Sequence, residues 1–284
     1  MPTFDEWLET SELPHKELIL PNVHEMTIEQ IINHYRSEYE IAEDWISVAY
    51  TDLQSEDNYY SREKEVVAAA STTKVLLAML FYDLVETGEL DLNSEIPYES
   101  SMYEPGNGDI TAEVEANNNQ SSYSLDDVIE QMIVFSDNVT KNMLREFYRI
   151  NFGPLGEGMA EVIKGSKETA DLLEENETTA ILLEETLLAL LEKDYYEPIL
   201  AYMRLADNDL YFKYYIEEAI PVKYGLINDL KHHIGLYEID GQPVYSLVIL
   251  SKNLDDEQAN KFLGGINLQL TAQAQYRNYL ENSF

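Results

Sequence analysis

The chain has 284 residues, 45% of them apolar, with 18 Lys and Arg against 54 Asp and Glu, for a formal charge of −36. That apolar share can build a buried core, so a wholly disordered chain is excluded. So acidic a surface repels phosphate backbones and anionic lipid headgroups, which sets nucleic acid and membrane surfaces aside as partners. Cysteine is absent, which removes disulfides, Cys-based zinc sites and thiol catalysis. The start, Met1-Pro2-Thr3-Phe4-Asp5-Glu6-Trp7, has neither the basic region nor the apolar run of a signal peptide. Apolar runs such as Val75–Phe81 are too short to span a bilayer, so no membrane insertion is expected. At about 150 residues per domain, the length suits one large domain or two subdomains.

In chain order, residues 27–40 read as an amphipathic helix, with Ile28, Ile31, Ile32 and Tyr35 at helical spacing. Two strand-like runs follow, Trp45–Tyr50 and Glu65–Ala70. The polar stretch Gln54–Asn58 reads as the turn of a hairpin between them. From Ser71 the period becomes helical, and an all-round apolar helix runs to Gly88, the pattern of a buried helix. Residues 98–124 are polar and read as an irregular excursion. Leu125–Phe135 is a helix capped by Ser124, Asn138–Tyr148 another, and Gly153-Pro154 ends it. Thr178–Lys193 and Glu197–Arg204 are further helices.

After Pro221 the strand signal returns in Val222–Leu226, Ile234–Ile239 and Val244–Leu250, the last two joined by an Asp240-Gly241 turn. Asp255–Tyr279 reads as a C-terminal helix, interrupted in pattern by Gly264-Gly265. Strands at both ends with helices between them imply one mixed sheet built from both termini, carrying an inserted helical domain.

Three short motifs carry chemistry. Ser71-Thr72-Thr73-Lys74 stands where a strand hands over to the buried helix. Residues i and i+3 share a helical face, so the Lys74 amine would reach the Ser71 hydroxyl. A serine needs a base to become a nucleophile, and a desolvated lysine supplies one. The helix N-terminus would add N–H groups for an oxyanion. Ser136-Asp137-Asn138 lies in a break between helices, 65 residues on (136 − 71). Lys223-Tyr224-Gly225 lies on a strand 87 residues further (223 − 136).

In this order and context the three motifs resemble those of the penicillin-recognising serine hydrolases, above all the class A β-lactamases, over nearly the whole chain. Further matches are the strand–turn–strand before Ser71 and the threonine-rich segment Glu177–Ala180. Lys223–Leu250 resembles the family's last strands, and Asp255–Tyr279 its closing helix. The resemblance implies an α/β sandwich. Its mixed, mainly antiparallel five-stranded sheet with terminal helices would comprise residues 1–70 and 210–284, and an all-α domain would span 71–209, with the active site between the two. It implies a serine hydrolase acting through an acyl-enzyme on β-lactams or D-Ala-D-Ala-like amides, hence β-lactam breakdown and antibiotic resistance.

Carried over residue by residue, Ser71 would be the acylated nucleophile, Lys74 its base or proton relay, and Ser136 the group that passes the proton to the leaving nitrogen. Asn138 would bind the substrate amide side chain, with Tyr224 and Gly225 lining the substrate's path. Lys223 would bind the substrate carboxylate, and the Ser71 and Leu226 N–H groups would form the oxyanion hole. No metal or cofactor is implied. The partner is a small molecule or a peptidoglycan peptide, the chain a monomer, and the location extracytoplasmic, with the cytoplasm as the alternative.

Two departures stand out. Tyr224 replaces the usual Thr or Ser of the third motif. The Glu-x-x-Leu-Asn segment, whose Glu activates the deacylating water, is not found between Arg149 and Thr178. Glu168, Glu174 and Glu175 are the candidates there by composition alone. A D,D-peptidase and a non-catalytic binder on the same fold are therefore the rivals.

Two other features read as structural. His232 and His233 are adjacent, so on a strand they point to opposite faces and form no helical metal pair. Asp207-Asn208-Asp209 has the acidic spacing of a calcium loop but lacks its glycine, and reads as a turn.

Overall fold

A computed structural model describes residues 2–55, 57–206, 209–216 and 218–283. Helices α1 (Phe4–Thr10) and α2 (Ile28–Glu38) precede strands β1 (Ile46–Asp52), β2 (Asn58–Ser61) and β3 (Val67–Ala68). Then come α3 (Lys74–Glu86), β4 (Glu95–Pro97), α4 (Asp109–Glu115), β5 (Ser122–Ser124), α5 (Leu125–Val134) and α6 (Asn138–Asn151). After these follow α7 (Leu155–Val162), α8 (Lys167–Glu174), β6 (Glu177–Thr178), α9 (Ala180–Leu190) and α10 (Glu197–Leu205). The chain closes with β7 (Val222–Ile227), β8 (Leu230–Ile239), β9 (Gln242–Ser251) and α11 (Asp256–Asn282). No helix among the described residues is long and apolar enough to cross a membrane. The chain divides into two compact units, Met1–Glu63 with Asp207–Phe284, and Lys64–Ala206.

The first unit is an α/β structure around a five-stranded antiparallel sheet of order β2-β1-β9-β8-β7. Both chain ends contribute: β1 pairs with β9 from Ile46↔Ser251 to Asp52↔Tyr245. Helices α2 and α11 supply Ile31, Ile32, Phe262 and Ile266 to one apolar core with Val48, Leu247 and Ile249 of the sheet. α11 runs unbroken through Gly264-Gly265, and the missing side chains there admit close neighbours. A Cβ on Gly265 would lie 2.4 Å from a ring carbon of Tyr35, and one on Gly264 2.8 Å from the Tyr211 carbonyl.

The expected hairpin is corrected. β1 pairs with β2, which begins at Asn58, and not with Glu65–Ala70. The Asp52 carboxylate accepts the N–H groups of Gln54 and Ser55, which tightens the turn so that the strand resumes at once. Of the Glu65–Ala70 run, only Val67–Ala68 is a strand, and it pairs with Glu177–Thr178.

The second unit is mostly helical. α3 is its centre, with every residue from Lys74 to Tyr82 buried. Two small antiparallel ladders, β3–β6 and β4–β5, accompany the helices, so the stretch expected to be all-α contains strands. The excursion 98–124 is also more ordered than its composition suggests, holding α4 and β5. The cap on α5 is as expected: the Ser124 hydroxyl accepts the Asp127 N–H. A short N-terminal helix was not foreseen, although Thr3 and Glu6 form its reciprocal capping box. Asp207 and Asn208, from the acidic turn considered above, lie outside the described residues.

Candidate active site

The second unit assembles a polar cluster at the start of α3. The helix begins at Lys74 and not at Ser71; residues Ser71–Thr73 form a turn. Ala70, just before the serine, has φ of 52°, a conformation that alanine adopts only when its surroundings impose it. The restraints are visible. Thr72 donates its hydroxyl to the Ala69 carbonyl at 2.8 Å, and the Lys74 N–H reaches the Ser71 carbonyl at 3.3 Å.

Lys74 is 1% exposed, and its ammonium is held by the second motif. Its Nζ donates to the Ser136 carbonyl at 2.7 Å, to Ser136 Oγ at 3.2 Å and to Asn138 Oδ1 at 2.9 Å. Asn138 uses the other end of its amide as well, donating from Nδ2 to the Pro105 carbonyl. Ser136 sits in the left-handed region at φ of 58°. Asp137, between them, is fully buried and structural. Its carboxylate accepts the Thr140 N–H as the cap of α6 and takes both the N–H and hydroxyl of Thr111, each at 2.9 Å. Thus Ser136-Asp137-Asn138 works as a clamp whose middle residue fixes the backbone while its outer two face the lysine.

A residue that sequence reasoning missed completes the turn. Asn176 accepts the Thr73 hydroxyl at Oδ1 (3.0 Å), donates from Nδ2 to the Ala70 carbonyl (3.3 Å), and takes the Ala69 N–H on its own carbonyl (2.9 Å). The family pattern Glu-x-x-Leu-Asn held the signal, because its final Asn can be placed on Asn176. Counting back four residues from there lands on Leu172, where the pattern has its Glu.

The candidate carboxylates have other work. Glu174 accepts from Arg149 at 2.5 Å and from the Gly156 N–H at 2.7 Å. Glu168 takes the Ser166 hydroxyl at the exposed start of α8, and Glu175 is exposed at its end.

Beside Lys74 lies a cavity of about 20 Å³, enough for one water. Its described lining includes Thr73, Lys74, Lys141, Arg145 and Asn176, and no carboxylate. Burial holds the Arg145 guanidinium below its ordinary range. Lys141 is tied at 2.9 Å to Glu104. Burial pushes the Glu104 carboxyl up, but hydrogen bonds from Lys141 and Asn142 and the charges of Lys141 and Lys74 outweigh it, and the net shift is downward.

The third motif belongs to the first unit. Lys223, Tyr224, Gly225 and Leu226 lie on β7, which ends the sheet and so leaves one edge unpaired within it. Lys223 is fully buried, with its Nζ 4.4 Å from the centroid of the Tyr224 ring. Leu226 is half exposed. His232 and His233 are structural, as expected: their Nδ1 atoms accept the Ser251 and Phe212 N–H groups, each at 3.2 Å.

The structure resembles several solved proteins at low sequence identity. A β-lactamase from Sphaerobacter thermophilus superposes with a TM-score of 0.71 at 16% identity, over 88% of this chain and 99% of its own. PBP-A gives 0.67 at 16%, over 88% and 96%. A β-lactamase from Xanthomonas campestris pv. campestris gives 0.69 at 18%, over 86% and 97%. At these identities the likeness establishes the fold. No curated protein sequence matches. The sequence profile of the β-lactamase enzyme family, however, matches residues 27–273. With that profile spanning most of its length, and with the fold to match, this chain belongs to the β-lactamase enzyme family.

Proposed function

We propose that the protein is a serine hydrolase that is acylated at Ser71 by β-lactams, or by D-Ala-D-Ala-like amides, and releases the acyl group slowly. The observation that carries this reading is the bonding of the Lys74 amine to Ser136 Oγ and Asn138 Oδ1, at the end of the turn that begins at Ser71. In the proposed sequence Lys74 acts as the neutral amine, giving up one of its three donated hydrogen bonds so that its lone pair takes the Ser71 proton, and Oγ attacks the substrate carbonyl carbon. The C–N bond then breaks, and the leaving nitrogen receives a proton through Ser136. The Ser71 and Leu226 N–H groups would hold the oxyanion. Lys223 would meet the substrate carboxylate, and an extended substrate would lie along the free edge of β7 beside Tyr224 and Gly225. A single chain would suffice, and a cell-wall substrate would place the protein outside the cytoplasm.

Slow release follows from the cavity beside Lys74, whose described lining is cationic and lacks a carboxylate to activate water. This favours a peptidase-like or penicillin-binding character over rapid β-lactam turnover. A solved leucine-to-glutamate variant of PBP-A was captured as an acyl-enzyme with penicillin G. The test combines nitrocefin hydrolysis with intact-mass measurement after penicillin exposure. A persistent adduct that Ser71→Ala abolishes is the expected result. Fast turnover would make the protein an efficient β-lactamase, and no adduct in either form would leave a binder.

A further inference from the structure

We propose that the first unit carries a second ligand site, separate in its residues from the serine motifs, that takes an amphipathic organic cation. A cavity of about 730 Å³ opens between the start of α2, the β1–β2 hairpin and the C-terminal half of α11. That volume is in the range of small-molecule sites. Four tyrosines line it: Tyr50, Tyr59, Tyr245 and Tyr276. Two have their hydroxyls turned to the protein, Tyr245 donating to Asn267 Oδ1 at 2.7 Å and Tyr276 to the Pro2 carbonyl at 3.2 Å. Tyr245 and Leu270 are buried and form the floor, so the surface offered to a ligand is the part-exposed ring of Tyr276 with the apolar side chains of Ile28 and Leu280.

Charge decides the class of ligand. Arg277 is already matched, its Nη1 lying 2.7 Å from Asp52 Oδ2. That pair cancels, and Glu29 and Asp57, both exposed at the rim, leave the site negative. Aromatic faces beneath a negative rim suit an ammonium group attached to a flat apolar body.

Three matched probes test this with the full chain: 3-phenoxypropylammonium, neutral 3-phenoxypropanol and the anion 4-phenoxybutyrate. Binding is followed by calorimetry at about 0.15 M salt, so that the general negative field of the protein is screened. The ammonium should bind saturably and at least about tenfold tighter than the carboxylate. Leu280→Trp, which fills the cavity from the end of α11, should abolish binding. The surface double variant Glu29→Lys/Asp57→Lys, which touches no core residue, should weaken it about tenfold. Ser71→Ala should bind like the parent. The proposal fails if no probe saturates, if the carboxylate binds as well as the ammonium, or if neither set of variants changes affinity. Loss of binding in Ser71→Ala would assign it to the serine site and overturn the proposal, whatever that site's own activity proves to be.

Discussion

Asn176 offers the sharpest test of how the nucleophile turn is held. Replacing it with Gly removes the side-chain bonds to Thr73 Oγ1 and to the Ala70 carbonyl but keeps the left-handed backbone at φ of 56°. A neutral hydrogen bond is worth about 0.5–1.5 kcal/mol, and the longer of the two counts at the low end, so Asn176→Gly should cost about 1–2 kcal/mol. Asn176→Ala loses the same bonds and adds about 1–2 kcal/mol for an alanine in the left-handed region, about 2–4 kcal/mol in all. At about 2–4 °C per kcal/mol, the two variants separate clearly in a thermal or urea unfolding series. The loosened turn should also slow penicillin labelling of Ser71 in both, with up to about 10²-fold lost if the hydroxyl shifts by an ångström. If both variants unfold within about 0.5 kcal/mol of the parent and label at its rate, Asn176 does not hold the turn.

Other perturbations have equally definite outcomes. In Gly108→Ala, a Cβ would lie 2.3 Å from Asp137 Oδ2 at a φ of 107°, so this variant should lose about 2–3 kcal/mol and, with it, the clamp on Lys74, read as a lower urea midpoint together with slower labelling. Leu172→Glu restores a carboxylate at the family's position, one turn before Asn176, and should shorten the acyl-enzyme lifetime about 10²-fold; an unchanged lifetime by intact mass would refute the register. Burial pushes Tyr39, Tyr82 and Tyr123 each up to about 12. The unfolded chain releases these protons near pH 10 while the folded chain retains them. Their contribution is therefore complete below pH ~10 and lost as pH rises toward 12, so the urea midpoint should be flat from pH 7 to 9 and fall above about 10. A midpoint that stays level to pH 11.5 would refute this.

The parts of the site that were legible are those where residue type itself is the chemistry. Lys74 stood out as a charge in an apolar helix, and Ser136 and Asn138 as polar groups in a helix break, and hydrogen bonds join all three. Asn176 was legible only as the final Asn of the family's Glu-x-x-Leu-Asn pattern, with Leu172 and Glu175 standing where that pattern has Glu and Leu, and its work is done by a backbone turn and an amide that any polar loop carries. Strand β2 was missed for a related reason. The Asp52 carboxylate closes the turn by bonding to main-chain N–H groups, an interaction that hydrophobic periodicity does not register. The sheet and its flanking helices were readable because alternation and helical spacing report burial directly. The pairing of Val67–Ala68 with Glu177–Thr178 depends on contacts about a hundred residues apart, which no local pattern encodes.

The pairing of β1 with β9 has a consequence for the birth of the molecule. Ile46 meets Ser251, so the central ladder of the sheet cannot form until β9, on the far side of the helical unit, has left the ribosome. Until then β1 and β2 can form only an isolated two-stranded ribbon, which is marginal in water. Residues 64–206, by contrast, are contiguous and are complete in the emerging chain before β7, β8 and β9 exist. Synthesis therefore imposes an order in which the helical unit condenses first while the N-terminal segment waits with an unsatisfied strand edge. This interval of high contact order is when the nascent chain is most open to mispairing and most dependent on chaperones. The surplus of acidic residues acts during the same interval, keeping neighbouring unfinished chains apart by mutual repulsion.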